Sequence, residues 1–318
     1  MRRFLWLTAI PALACLVLAG CGSSKPPAAA NANASVTATG SFGTTPAVRI
    51  PKAKTSGTLT VKTLIRGTGP ALTGSDAVAV NFVLYYWNGT SSTLEANTFT
   101  KYPTVIGTTM LPGLKSALLG KKVGSRVLAV IPPADGYGSS GYAQLGITGS
   151  TTLVFVIDMI KEYPVTATAS GTQQSDGGGA LPTVTARPHA APAVTVPSSA
   201  PPAALVTRTL IKGAGPAVTK GQFVVAQYAG YIWRTKKAFS SSWASGSPFG
   251  FVLGASPEQV IPGWDKGLAG KTVGSRVLLV IPPKDGYGSS GQSQAGIKGT
   301  DTLVFVVDII GVLPVPAS

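Results

Sequence analysis

Val123–Ile160 reads VGSRVLAVIPPADGYGSSGYAQLGITGSTTLVFVIDMI, and Val273–Ile310 reads VGSRVLLVIPPKDGYGSSGQSQAGIKGTDTLVFVVDII. These 38-residue blocks agree at 28 positions with a constant offset of 150. Upstream, Thr63-Leu-Ile-Arg-Gly-Thr-Gly-Pro matches Thr209-Leu-Ile-Lys-Gly-Ala-Gly-Pro at an offset of 146. Two copies at that spacing mean duplicated globular units, not a short-period solenoid. Inside a unit, Phe223–Tyr228, Arg276–Ile281 and Thr302–Ile310 are β-branched and aromatic runs bounded by Gly and Pro, the composition of strands. Pro262–Leu268, between two strand signals, is the one plausible helix. At that length it must lean on the sheet for stability. The expected unit is a β-rich sheet curled around one short helix.

Outward from the repeat the composition changes. Gly22 to about Lys54 is rich in Ala, Pro, Ser, Thr and Asn, and Pro164 to about Ala203 carries Gly177-Gly178-Gly179 and six prolines from Pro182 to Pro202. Segments of this kind lack the apolar surface to offset chain ordering, so mobile spacers are expected that let the domains move independently. At the start, Arg2 and Arg3 precede an apolar run from Phe4 to Leu18 that ends in Leu18-Ala19-Gly20-Cys21. Small residues before a cut mark a secretory leader, and the run is shorter than the ~20 residues a spanning helix needs. The division expected is 1–21 leader, 22–54 flexible linker, 55–163 domain one, 164–203 linker and 204–318 domain two.

A Cys directly after Leu-Ala-Gly resembles the bacterial lipobox, which implies lipidation at Cys21 and a place on the extracytoplasmic face of the cell membrane. The other cysteine, Cys15, falls in the leader, so no disulfide or thiolate nucleophile is expected in the mature chain. The single histidine, His189, lies in a Pro/Ala/Thr-rich stretch, which argues against a histidine triad or metal site. With 11 acidic residues in 318 there is no close carboxylate pair of the glycosidase kind. The chemistry must run without a strong acid or base, and neither cofactor nor metal is implied. The formal charge of +15, or +13 without Arg2 and Arg3, suits either a generally basic solvated surface or attraction to anionic lipid or wall polymer. No clustered Arg/Lys stripe suggests nucleic acid.

Gly286-Tyr287-Gly288-Ser289-Ser290-Gly291 satisfies G-x-G-x-x-G, but Pro282-Pro283 precedes it and a loop-like sequence follows. A dinucleotide fingerprint opens a helix directly after a strand, so nucleotide binding is not expected. The aromatics are more telling. Val260-Ile261-Pro262-Gly263-Trp264, Val273-Gly274, Ile281-Pro282-Pro283 followed by Tyr287-Gly288, and Thr302-Leu303-Val304-Phe305 stand in one order and spacing.

Together these motifs resemble the FKBP family of peptidyl-prolyl isomerases over the whole second unit. The resemblance implies an α+β fold, an antiparallel sheet wrapped around one short helix with the ligand cleft between them. It also implies a cleft lined by Tyr228, Phe239, Phe249, Val260, Ile261, Trp264, Tyr287, Ile297 and Phe305. Trp264 would be the floor, with the backbone N–H of Ile261 and the hydroxyl of Tyr287 gripping substrate carbonyls. Catalysis would rest on Tyr287, Trp264, Phe239 and Ile261. Phe251 reads as core.

The implied partners are unfolded or proline-containing exported proteins, with macrolides of the rapamycin type as ligands. Where the family usually has Phe-Asp, this chain has Phe239-Ser240, removing a carboxylate from the cleft edge. Domain one keeps Tyr137, Ile147 and Phe155 but has Phe82 for Tyr228 and Leu114 for Trp264. Leu94 and Tyr102 are aligned with Phe239 and Phe249. Domain one is therefore expected to be weakly active or inactive. The alternatives are a non-catalytic proline-peptide binding module or membrane-tethered chaperone, and a purely structural pair of β domains.

Overall fold

The computed structural model describes residues 32–175, 179–187 and 189–315. Cys21 and the leader lie outside them. Among the described residues no helix is long and apolar enough to cross a membrane.

Domain one opens with a hairpin, β1 (Thr37–Thr39) and β2 (Ala47–Arg49). Then come β3 (Thr60–Ile65), β4 (Asp76–Trp87), β5 (Ser92–Asn97), β6 (Thr104–Ile106), helix α1 (Pro112–Leu118), β7 (Arg126–Ile131) and β8 (Thr152–Pro164). The chain continues through β9 (Gly171–Gln173) and a second hairpin, β10 (Thr183–Thr185) and β11 (Ala193–Thr195). Domain two follows as β12 (Val206–Gly213), β13 (Phe223–Ile232), β14 (Lys237–Ser241), a helical turn α2 (Ser242–Ser245), β15 (Phe249–Val252), α3 (Pro262–Leu268), β16 (Arg276–Ile281) and β17 (Leu303–Leu313). The sheets run β3-β7-β8-β4-β5 with β6 on β4, and β9-β12-β16-β17-β13-β14 with β15 on β13. Every pairing is antiparallel. Both domains are thus the expected sheet around one short helix.

The helix begins where the sequence dictates. Pro262 takes the first helical turn, where its missing N–H costs nothing, and forces Ile261 before it into extended backbone, φ −65° and ψ 148°. Trp264 and Leu268 then point into the hollow of the sheet, joining Val277, Leu279, Ile281, Phe305 and Val307 in one core.

Successive strand residues face opposite sides. The alternate residues Leu278, Val280, Val304 and Val306 are therefore on the back of the sheet, and they are buried too. Their cover is the second hairpin, through Val184, Val194 and Val196. In domain one Leu128, Val130, Val154 and Val156 are covered in the same way by Val36, Ala38, Val48 and Ile50. Much of the two segments expected to be mobile spacers is therefore structural: 32–54, 181–187 and 189–197 are lids on the two sheets.

A buried ion pair sits on the back of each sheet. Arg126 and Asp158 meet at 2.6 Å and Arg276 and Asp308 at 2.7 Å, each as a two-pronged fork between register partners. The Arg126 guanidinium also donates to the carbonyls of Gly40 and Thr44, while Gly43 N–H donates to Asp158. In domain two Ala169 N–H donates to Asp308. Desolvated charges need every hydrogen bond they can make, so the ion pair fixes the segment lying over it.

The two domains are also packed against each other. Ala79 and Tyr163 share a core with Phe223, Val225, Val252 and Leu313. Tyr102 stacks on Phe223 at 6.5 Å. Tyr163 enters the space left by Gly311, where a Cβ would lie 2.5 Å from its hydroxyl oxygen. Ala79 and Val225 are equivalent by the 146 offset, and Tyr163 and Leu313 by the 150 offset. Equivalent surfaces of the two copies thus face each other, as in an isologous dimer.

Candidate active site

The cleft of domain two is a set of aromatic rings packed edge to face. Trp264, 3% exposed, stands 5.3 Å from Tyr228, 5.3 Å from Phe305, 5.4 Å from Phe251 and 6.1 Å from Phe249. Phe239 meets Phe305 at 5.6 Å and Tyr228 meets Phe249 at 5.9 Å. Edge-to-face rings at these separations gain from their quadrupoles as well as from burial. Val260, Ile261 and Ile297 pack on the same cluster. Eight of the nine residues expected in the cleft share this apolar cluster. Phe251 is fully buried, as expected of core.

Tyr287 is the ninth. It is 38% exposed and follows a 3-10 turn, Pro283–Asp285, with φ −91° and ψ 9°, the sparse bridge region in which many active-site residues sit. Its hydroxyl is held above the ordinary tyrosine pKa, first by burial and then by the neighbouring Tyr228 hydroxyl. The turn that carries it is tied to the helix of Trp264 by Lys266, whose ammonium donates to Asp285 at 2.5 Å. Ile261 is the N-cap of α3, so its N–H lies outside the helical ladder.

Three features escaped sequence reasoning. Tyr228 Oη and Ser240 Oγ are 2.7 Å apart, so the serine in place of the family's carboxylate still hydrogen-bonds at the cleft edge. Phe239 stands at a β-bulge: Gly230 pairs with Ser240 and Tyr231 with Ala238, and Phe239 between them is left to turn into the cleft. Finally, Gly230 makes the room. A Cβ there would lie 2.7 Å from Phe305 and 2.9 Å from Phe239. Among the described residues no group of three or more His, Cys, Asp or Glu side chains is placed to hold a metal ion.

The family model for FKBP-type peptidyl-prolyl cis-trans isomerase matches the chain twice, over residues 69–160 and 215–310. The chain belongs to the FKBP-type peptidyl-prolyl cis-trans isomerase family. It is accordingly an enzyme of X-Pro bond isomerisation. It is 40% identical over 121 residues to an FK506-binding protein of Streptomyces anulatus, covering 38% of this chain and 96% of that one. To FK506-binding protein 2B of Rhizopus delemar it is 44% identical over 94 residues, 30% of this chain and 44% of the relative. Against the crystal structure of FkpA from Escherichia coli the identity is 38%, the coverage 35% of this chain and 49% of that one, and the TM-score 0.32.

The first FKBP domain has a different cleft. Phe82 and Phe155 meet at 5.6 Å over Leu114, and Tyr137 stacks on Tyr142 at 5.6 Å. Burial and then Tyr142 raise the pKa of the Tyr137 hydroxyl. The register corrects two alignments. Leu84 pairs with Ala96 and Tyr85 with Leu94, so the bulge residue equivalent to Phe239 is Glu95, not Leu94. Val80 pairs with Thr104 as Ala226 pairs with Phe249, so Thr104 takes the place of Phe249. Tyr102 belongs to the contact with domain two. A bulge and a shortened loop shift the register by one residue and by two, which sequence alignment cannot see. Leu84 stands where Gly230 is, and Ser116 stands where Lys266 is.

Proposed function

We propose that the second domain is the catalytic half and that it turns X-Pro amides in the ring-lined cleft over Trp264. The observation that carries this is the closed set of aromatic contacts around Trp264, which the first domain lacks. Rotating an amide costs ~18–20 kcal/mol because resonance is broken. The planar amide is polar, whereas the twisted one has lost its charge separation. A pocket that strips water and offers aromatic faces therefore favours the twisted form. The proline ring fills the box, with Phe239 and Phe249 as walls. The N–H of Ile261 and the O–H of Tyr287 donate to substrate carbonyls and strengthen the preference if they tighten as the bond turns.

Because its pKa is raised in the fold, first by burial and then by Tyr228, the Tyr287 hydroxyl holds its proton more firmly than a free tyrosine. The sign follows: any stability from this shift is present below pH ~10 and is lost as pH rises through the folded value. The donor is thus available at neutral pH.

The test uses the full chain on a short X-Pro peptide beside Tyr287→Ala. The substitution should lower kcat/KM by about tenfold, ~1.4 kcal/mol of transition-state stabilisation, with circular dichroism unchanged. Unchanged turnover in Tyr287→Ala would remove the second domain from the reaction.

The substrates proposed are unfolded, proline-containing segments of exported proteins, with the chain held on the outer face of the membrane through lipid on Cys21. Leu18-Ala19-Gly20-Cys21 supports this. Cys21→Ser should then move the protein from the membrane to the soluble fraction, and continued membrane association would refute the anchor. Relatives named for FK506 binding support a macrolide of the rapamycin type as a competitor in the same box. For the first domain, Glu95, Thr104 and Leu84 in place of two rings and a glycine favour binding of extended chain over turnover.

A further inference from the structure

We propose that Val105 and Thr108 of domain one are positioning residues for the site of domain two. This rests on the reading that domain two is the catalyst. The cleft wall Phe249 belongs to β15, a strand of four residues that pairs with one strand, β13, while Val252 N–H donates to the Gln259 side chain. Such a short edge strand is held poorly by its own hydrogen bonds. Phe249 and Phe251 point to the cleft, stacked at 5.6 Å, so Gly250 and Val252 point the other way. That other face is covered by Phe223 of the same sheet and, beside it, by domain one. A Cβ on Gly250 would lie 2.3 Å from Phe223 and 3.0 Å from Val105, and Val252 is buried in the shared core.

The loop leading into β15 is pinned as well. Thr108 donates its backbone N–H and its hydroxyl to the carbonyl of Gly246, at 3.3 Å and 3.2 Å. Gly107 presses on Ser247, with a Cβ at 2.4 Å if one were added. With α2 this loop joins the strand of Phe239 and Ser240 to the strand of Phe249, so it sets the distance between two walls of the box. Val105 packs in the shared core and Thr108 bonds to the loop, whereas Trp264 belongs to the core inside the sheet. They act through Phe249, and their work is to hold the wall at the spacing a proline ring needs before substrate arrives.

The test is done on the full chain, with exchange NMR on an X-Pro peptide giving KM and kcat separately. Val105→Ala with Thr108→Ala should raise KM about fivefold, the scale of one lost hydrogen bond, and leave kcat within about twofold. Thr108→Ala alone removes one hydroxyl without disturbing the core and should raise KM about twofold, and Thr108→Ser should restore it. Wild-type KM in both variants, with Tyr287→Ala still impaired, would overturn the positioning role and leave the domain-two reading standing. If Tyr287→Ala is also unimpaired, that reading fails and the proposal with it.

Discussion

At the floor of the cleft Trp264 in domain two corresponds to Leu114 in domain one, and at the wall Gly230 corresponds to Leu84. The second difference explains the first domain better than simple erosion would. A ring at the bulge requires a glycine opposite it. With Glu95 at the bulge that space falls vacant, and Leu84 packs with Phe82 and Phe155 against the core instead. The change from Phe to Glu and the change from Gly to Leu belong together. Domain one has been repacked into a stable domain with a different cleft, while its back face, ion pair and hairpin were kept.

What the two halves share is the harder to disturb. Arg126→Met would leave Asp158 buried with only the N–H of Gly43 besides its own strand, and should cost about 3–5 kcal/mol in chemical denaturation. Replacing Asp158 by Leu as well should recover most of it. A loss below about 1 kcal/mol would mean that the pair does not hold the hairpin.

What separates the halves is smaller in energy and larger in function. Gly230→Leu copies domain one into domain two, so it should expel Phe239 from the box. Isomerisation should fall about tenfold or more, with ~1–3 kcal/mol of overpacking in the unfolding free energy. The reverse pair in domain one, Leu84→Gly with Glu95→Phe, should raise the ligand affinity of that cleft. No gain there would show that the floor, not the wall, separates the two domains.

The smallest effect is expected at the cleft edge. Ser240→Ala leaves the Tyr228 hydroxyl without its partner and should weaken binding of a prolyl peptide about two- to fivefold, ~0.5–1 kcal/mol. Calorimetric titration would measure it. No change would mean that the serine has lost the role of the carboxylate altogether.

Much of this architecture is legible in the chain alone. The repeat, the strand runs, Pro262 as the start of the helix and the aromatics of domain two are local or nearly local properties. Two fainter signals in the chain point to the lids. Arg276–Ile281 and Leu303–Ile309 are apolar on both faces, and an antiparallel sheet with two apolar faces needs two covers. Pro46-Ala-Val-Arg-Ile-Pro and Pro192-Ala-Val-Thr-Val-Pro also repeat at the offset of 146, so the hairpins were duplicated with the domains.

The sequence by itself determined that there are two units, where each helix begins and which rings are available. Only the tertiary structure decided that Glu95 and Thr104 replace Phe239 and Phe249, that the Pro/Ala-rich segments are lids, and that domain one backs the wall of domain two's cleft. The physical reason is range. A proline's backbone constraint or a strand's alternation acts within a few residues. Register at a bulge, cover for a sheet and contact between domains depend on partners far along the chain, each giving only one or two side chains to the contact.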